Sequence, residues 1–205
     1  MGPNWDESSP QLHHNLERAA EAARDHVVSR ALPDLSLARD WHRQIMHGLT
    51  YPASIEPGVF RGETGQTDAV VHVGGLPGAD PDAVSGELAR FETKLVQAVE
   101  RLDAQIPAGE SPTEETLDSV IDLCAWVHAE WVRIHPFPNG NGRTARLWAN
   151  WVAMRYGLPP FVRLRPRPTG SAYAMAGMLA MTGDWRPTAA VFRRLLLQCL
   201  GEQTH

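Results

Sequence analysis

The chain has 205 residues, enough for one domain with a sizeable core, and 43% of them are apolar. Its 19 basic and 24 acidic residues leave a formal charge of −5, which speaks against a nucleic-acid binder or a membrane-surface protein. At 21% charged residues it is not compositionally disordered, and two cysteines make neither a disulfide framework nor a four-cysteine metal site.

In chain order, the opening Met1-Gly2-Pro3-Asn4-Trp5-Asp6 has no apolar run and does not fit an acylation signal. No stretch is apolar for long enough to span a bilayer. The expectation is a soluble protein of the cytoplasm, acting there or after delivery to another cell, with no nucleic-acid or membrane partner. Residues 12–32 are rich in Ala, Glu and Arg and stop before Pro33, which predicts a helix. Residues 36–49 carry Leu37, Trp41, Ile45 and Leu49, a spacing of four that predicts a second. The one stretch of strand character follows. Val59-Phe60-Arg61-Gly62 and Val70-Val71-His72-Val73 flank a polar turn at 63–68, which predicts a β-hairpin. Asp80 before Pro81 reads as an N-cap and first helical position, opening a helix to about Leu102.

Ser111-Pro112-Thr113-Glu114 reads as a capping box. The helix after it carries Val120, Cys124, Val127, Trp131 and Ile134, a stripe that should face a core and hold Cys124 as a buried free thiol. Another helix runs from near Gly142 to Gly157, and two more cover 171–181 and 187–200. Trp41, Trp126, Trp131, Trp148 and Trp151 lie on helices and read as core. Arg163, Arg165 and Arg167 alternate along a strand or extended loop and read as a solvated face, with a role in the ligand field as the alternative. The fold class is therefore mainly α, a helical bundle with one small β-hairpin.

Chemistry concentrates in His135-Pro136-Phe137-Pro138-Asn139-Gly140-Asn141-Gly142-Arg143-Thr144-Ala145-Arg146. Pro136 and Pro138 stop the preceding helix and leave His135 at its C-terminal end. Asn139 to Gly142 tolerate positive φ, so their N–H groups can curl toward one point as an anion nest. A helix start then adds free N–H groups and the positive end of its dipole. Arg143 and Arg146 are three apart on one face, with Asn150 four further on. The pattern describes a polyanion site with a histidine at its mouth, and triphosphate is the ligand class it suits.

This segment resembles the signature of the Fic family, His-Pro-Phe-x-Asp/Glu-Gly-Asn-Gly-Arg-x-x-Arg. Eleven of its twelve places are met, counting the free ones. Gly58-Val59-Phe60-Arg61 with the hairpin is similar to the family's flap region, and 173–200 to its closing helices. The resemblance covers about residues 35–200, leaving 1–34 as an N-terminal helix or extension and 201–205 as a tail. It implies a Fic-type bundle and transfer of AMP from ATP, with Mg²⁺, to a Ser, Thr or Tyr hydroxyl of a target protein. By the same resemblance His135 is the general base, near its ordinary pKa of about 6.5 and able to accept a proton at neutral pH. Gly140, Asn141 and Gly142 hold the α- and β-phosphates, Arg143 and Arg146 the departing phosphates, and Tyr173 borders the nucleobase. Val70, Val71, His72 and Val73 form the flap strand that pairs with an extended target segment.

Asn139 departs from the pattern. The family has Asp or Glu there as the Mg²⁺ ligand, and an amide oxygen brings no charge to a hard cation. Weaker metal binding and slower transfer are expected. UMP or GMP in place of AMP stays open, and so does a nucleotide-binding or interaction module with weakened catalysis. Intact His135 argues against the module. The family's inhibitory pattern Ser/Thr-x-x-x-Glu-Gly/Asn is not met around Glu17, Glu21 or Glu202, which leaves a separate small antitoxin protein as a hypothesis, and with it a toxin role. His135 alone could simply cap helix carbonyls, and His128 with His135 could suggest zinc, but no His-Glu-x-x-His or partner carboxylate accompanies them. A DNA-reading helix from Arg143 lacks a helix-turn-helix context.

Charge is unevenly placed. Between Trp131 and Gly183 there are seven arginines and no Asp or Glu, so the segment is +7 and the rest −12.

Overall fold

The computed structural model describes residues 9–52, 54–67 and 69–202. The chain's opening, the last place of the expected 63–68 turn and the end of the 201–205 tail lie outside the described residues. The elements are α1 (Pro10–Ser29), α2 (Leu35–Met46), β1 (His72–Val73), β2 (Leu76–Pro77), α3 (Pro81–Gln105), α4 (Glu114–Ile134), α5 (Asn141–Arg155), α6 (Ser171–Ala180) and α7 (Arg186–Glu202). This is the mainly α bundle with one two-stranded antiparallel sheet that the sequence predicts.

Helix starts follow local chemistry. The Ser9 hydroxyl accepts from Leu12 N–H, with Pro10 behind it, and the Asp34 carboxylate accepts from Ser36 N–H. Asp80 is the N-cap of α3 by position, but its side chain makes no capping bond. The capping box of α4 forms two residues later than expected. Thr113 accepts from Thr116 N–H and the Thr116 hydroxyl accepts from Thr113 N–H, because Thr113 takes the extended backbone just before the first turn.

Helix α4 is the spine, packed against α3, α5, α6 and α7. Its stripe Val120, Cys124, Val127, Trp131 and Ile134 is wholly buried. Trp41, Trp131, Trp148, Trp151, Phe91 and Phe137 fill the centre, with Trp131 edge-on to Phe91 at 5.4 Å and Trp41 edge-on to Trp148 at 4.8 Å. Trp126 is only half-buried, stacked on Phe91. Each fully buried aromatic contributes about 2–3 kcal/mol by transfer from water. Arg155 crosses from α5 to the Asp103 carboxylate at 2.6 Å and to the carbonyls of Arg30 and Ala31, tying α1 and α3 to α5.

The hairpin sits further along the chain than the sequence reading has it. His72 pairs with Pro77 and Val73 with Leu76 across Gly74-Gly75, whose φ values of 56° and 85° suit a two-residue hairpin turn. The expected first arm, 59–62, is not a strand. Phe60 is drawn into the core against Phe137 and Trp131, and Arg61 is buried beneath the end of α4. That backbone serves the interior and has no strand partner. Val70 and Val71 lie before β1, although Gly78 N–H donates to the Val71 carbonyl and extends the pairing by one rung.

Candidate active site

The site begins where α4 stops. His135 takes a left-handed conformation at φ 54° with its N–H on the Trp131 carbonyl. That conformation costs a non-glycine residue about 1–2 kcal/mol and needs support from its surroundings. Arg61 supplies it. Its Nε donates to the His135 carbonyl at 2.8 Å, Nη2 to Ala79 at 2.7 Å and Ile134 at 3.0 Å, and Nη1 to Ala69 at 2.9 Å. A buried guanidinium thus meets the negative end of α4. Gly78 closes the space beside it, since a Cβ there would stand 2.8 Å from His135 Cβ.

The imidazole is oriented by a single bond. Its Nδ1 lies 3.1 Å from the Val132 carbonyl, which can only accept, so Nδ1 carries the proton and Nε2 the lone pair. Burial, aided by the charge of Arg61, holds His135 below the usual 6.5 despite the Val132 bond. It is therefore neutral at pH 7.

The loop after it rests on α2. His42 is fully buried, accepts Gly58 N–H on Nδ1 at 2.8 Å and donates from Nε2 to the Asn139 carbonyl at 3.1 Å. Burial pushes it down to about 4, so it stays neutral as those two bonds require. Its ring stacks on Phe137 at 3.9 Å. A Cβ on Gly140, at φ 81°, would stand 3.1 Å from that ring, so glycine is needed there for space as well as conformation. The Asn141 amide closes the loop from above, accepting from Phe137 N–H at 2.9 Å and donating to its carbonyl at 2.7 Å. Its side chain is thus engaged, and only its backbone remains for the expected phosphate contact. Arg143 and Thr144 N–H both turn to the Gly140 carbonyl, and Gly140 N–H turns to the Asn139 side chain. The first N–H groups of α5, at Asn141 and Gly142, have no intrahelical acceptor and line the cleft.

That cleft measures about 820 Å³. His135, Asn139, Gly140, Asn141, Gly142, Arg143, Arg146 and Tyr173 all line it, as do Val71, His72 and Val73 of the hairpin. Arg146 is 7% exposed. Its Nη2 donates to the Leu164 carbonyl at 3.2 Å, while its buried Nε has no partner among the described residues. Val70, 67% exposed, is not among the lining residues. Neither is Asn150, and this corrects its expected place on the phosphates. It is buried and bonds both groups of Val162, Nδ2 to the carbonyl at 2.8 Å and Oδ1 from the N–H at 3.0 Å. Tyr173 shares a 2.9 Å hydrogen bond with His128 Nε2, which leaves the phenol ring, rather than its hydroxyl, to face a ligand. His128 itself is buried and pushed down to about 3.

His42, Arg61 and Gly78 are the residues that sequence reading missed. Arg163 and Arg167 are exposed, as the expected solvated face has them, and Arg167 also lines the cleft; Arg165 is half-buried and reaches the Ser9 carbonyl.

The donor set does not fit a hard divalent cation. The lining contains no Asp or Glu among the described residues, and no group of three His, Cys, Asp or Glu side chains there could hold a metal. Asn139 Oδ1, the ligand the motif position would offer, is a neutral amide oxygen that accepts from Gly140 N–H. Among the described residues no helix is long and apolar enough to cross a membrane.

A model of the Fic/DOC family matches residues 32–153. Protein adenylyltransferase Fic of Drosophila melanogaster is 34% identical over 158 residues, which are 77% of this chain and 26% of that protein. Protein adenylyltransferase fic-1 of Caenorhabditis elegans is 43% identical over 67 residues, 33% of this chain and 13% of that one. This chain thus spans about a quarter or less of the length of these relatives. The fold is shared with the N-terminal Fic domain of a putative cell filamentation protein from Bartonella quintana, at a TM-score of 0.60 and 19% identity over 96% of this chain and 90% of that one. It is shared too with BepC of Bartonella tribocorum with bound AMPPNP, at 0.59 and 20% over 92% and 88%. The motif loop, the family model and the fly relatives agree, and the chain belongs to the Fic/DOC family.

Proposed function

We propose that this protein is a nucleotidyltransferase that moves AMP from ATP to a Ser, Thr or Tyr hydroxyl of a target protein. The observation that carries this reading is the lone pair of His135 Nε2. It is fixed by the Nδ1 bond to Val132, kept unprotonated by burial, and set on the wall of an arginine-lined cleft. A residue that only binds an anion has no use for an acceptor there. Relatives named protein adenylyltransferase and a structural neighbour with bound AMPPNP support the nucleotide.

In this reading His135 Nε2 takes the proton of the target hydroxyl as its oxygen attacks the α-phosphorus. The bond from that phosphorus to the β-bridging oxygen breaks, and pyrophosphate leaves. The N–H groups of Asn141 and Gly142 hold α- and β-phosphate oxygens, and Arg143 and Arg146 carry the departing charge. The Tyr173 ring borders the base. β1 offers its edge to an extended target segment, with His72 and Val73 beside the reacting centre. Mg²⁺ enters only as a companion of the phosphates, since Asn139 gives it no anionic oxygen. A small antitoxin protein supplying a carboxylate to Arg146 is the proposed silencer of a toxic activity. Toxicity of the chain alone, relieved by a co-expressed neighbour, tests that.

The experiment for the main reading is transfer of label from nucleoside triphosphates labelled on the α-phosphate, run with ATP, GTP, UTP and CTP. Labelled protein from ATP that disappears in His135→Ala supports it, and label from UTP or GTP alone reassigns the nucleotide. The neutral Asn139 favours one second reading, a nucleotide-binding module without transfer. Binding with no labelled product under any metal condition would establish that module instead.

A further inference from the structure

Away from the cleft, a second concavity of about 500 Å³ lies between α3 and α4. Its floor is Ala98 and Leu102 of α3 with Leu123 and Trp126 of α4, and Trp185 stands beside them. We propose that this groove docks an acidic amphipathic helix of a partner protein.

The groove and the cleft share no lining residue. Helix α4 turns Leu123 and Trp126 to the groove and His128 and Val132 to the cleft. At about 100° per residue, those pairs lie on opposite sides of the helix. An occupant of the groove therefore leaves the cleft open.

The shape suits a helix. α3 and α4 are joined by residues 106–113 and form a helical hairpin. The α3 lining runs from Lys94 to Gln105, about three turns. A third helix laid along that length packs its apolar side on the floor, the helix-in-groove mode. Trp126 is half-buried and stacked on Phe91 at 5.4 Å, so its place in the floor is set by the core.

Charge selects the partner. Lys94, the chain's only lysine, and Arg101 line the α3 side, are exposed, and bond to no described residue. Asp122, the acid among the described lining residues, already accepts from Arg193 at 2.9 Å. The groove thus offers two free cations in a body that is −12 outside the +7 segment. Lys94 and Arg101 are seven apart, about 10 Å along α3, and two carboxylates seven apart on a partner helix have the same separation. A second copy of this chain suits the groove poorly, because a two-fold contact would set these cations against their own copies.

The test is fluorescence-anisotropy titration of a labelled synthetic peptide with the full chain at low ionic strength. The peptide has about fifteen residues, is lactam-stapled as a helix, and carries Leu at heptad spacing with two Glu seven apart beside that stripe. Saturable binding is expected. The Lys94→Glu/Arg101→Glu variant should bind it about tenfold more weakly, and should instead prefer the peptide with Lys in place of Glu. Arg18→Glu/Arg24→Glu makes an equal charge change on exposed residues of α1 outside the groove and should alter affinity by less than about twofold. Saturating AMPPNP should leave peptide binding unchanged. No binding up to about 1 mM overturns the proposal. So do equal weakening by the two double variants, equal binding of the Glu and Lys peptides by the unaltered chain, and displacement of the peptide by AMPPNP. A chain that sediments as a dimer, broken by Lys94→Glu/Arg101→Glu, gives the groove to a second copy and overturns it as well.

Discussion

Arg61 is the residue on which the geometry of His135 most depends, and replacing it has a calculable cost. Its guanidinium is 2% exposed and donates to four carbonyls, those of Ala69, Ala79, Ile134 and His135. Arg61→Ala leaves all four without that donor beneath the end of α4. At about 1 kcal/mol for each, the loss is about 4 kcal/mol, a large fraction of an ordinary domain's stability. Arg61→Lys keeps the charge but not the planar fork, so one or two carbonyls stay bonded and about half the loss is expected. The assay is urea denaturation of both variants, with label transfer measured under conditions where each remains folded. Transfer should fall further than the residual folded fraction explains, because the left-handed backbone of His135 loses its anchor while Nδ1 and Val132 are untouched. An Arg61→Ala chain within about 1 kcal/mol of wild type, or one with unaltered transfer, would refute the reasoning.

Three further outcomes follow from the same contacts. His42 and His128 are held neutral in the fold, at about 4 and about 3 against 6.5 in the unfolded chain. Below pH 6.5 the unfolded chain takes up protons that the folded one refuses, so stability falls as pH drops from 6.5 toward 4. The slope approaches about 3 kcal/mol per pH unit for the two together, and a flat urea midpoint between pH 7 and pH 5 would contradict it. Asn150→Ala strips both backbone groups of Val162, and about 2 kcal/mol of stability should go with them, together with weaker AMPPNP binding because the Arg167 segment loses its anchor. Calorimetry that finds only the binding loss would instead return Asn150 to the phosphates. Tyr173→Phe should keep AMPPNP affinity within about twofold, since its hydroxyl belongs to His128, whereas Tyr173→Ala removes the ring and should weaken it.

Most of the fold was legible because its causes are local. The period of Val120, Cys124, Val127, Trp131 and Ile134 belongs to one helix, and the proline after His135 stops that helix whatever else surrounds it. The hairpin was misplaced for an instructive reason. Val59-Phe60-Arg61 has strand composition, but its side chains are claimed by Trp131, Phe137 and the end of α4, contacts that composition does not encode. Gly74-Gly75 was the stronger local signal, since two adjacent residues at positive φ are what a two-residue hairpin asks for.

The site divides along the same line. Its backbone nest could be read from glycines and prolines, but its supports could not: His42 reaches the loop from 97 residues away and Arg61 reaches His135 from 74. Asn141 and Asn150 show where a helical face misleads. Each was on the right side of α5, yet a buried amide beside loop N–H and carbonyl groups bonds to those groups. The +7 segment needs the same refinement. Acids elsewhere in the chain answer part of it, with Arg133 on Glu87 and Glu130, Arg155 on Asp103 and Arg163 on Glu202. Arg143, Arg146 and Arg167 are the arginines of that segment that line the cleft. Segment charge is therefore not site charge. The fold places Arg133, Arg155 and Arg163 on carboxylates that stabilise it and brings Arg143, Arg146 and Arg167 to the wall of the cleft. None of the cleft's described lining residues is acidic, so a phosphate entering there meets no carboxylate among them.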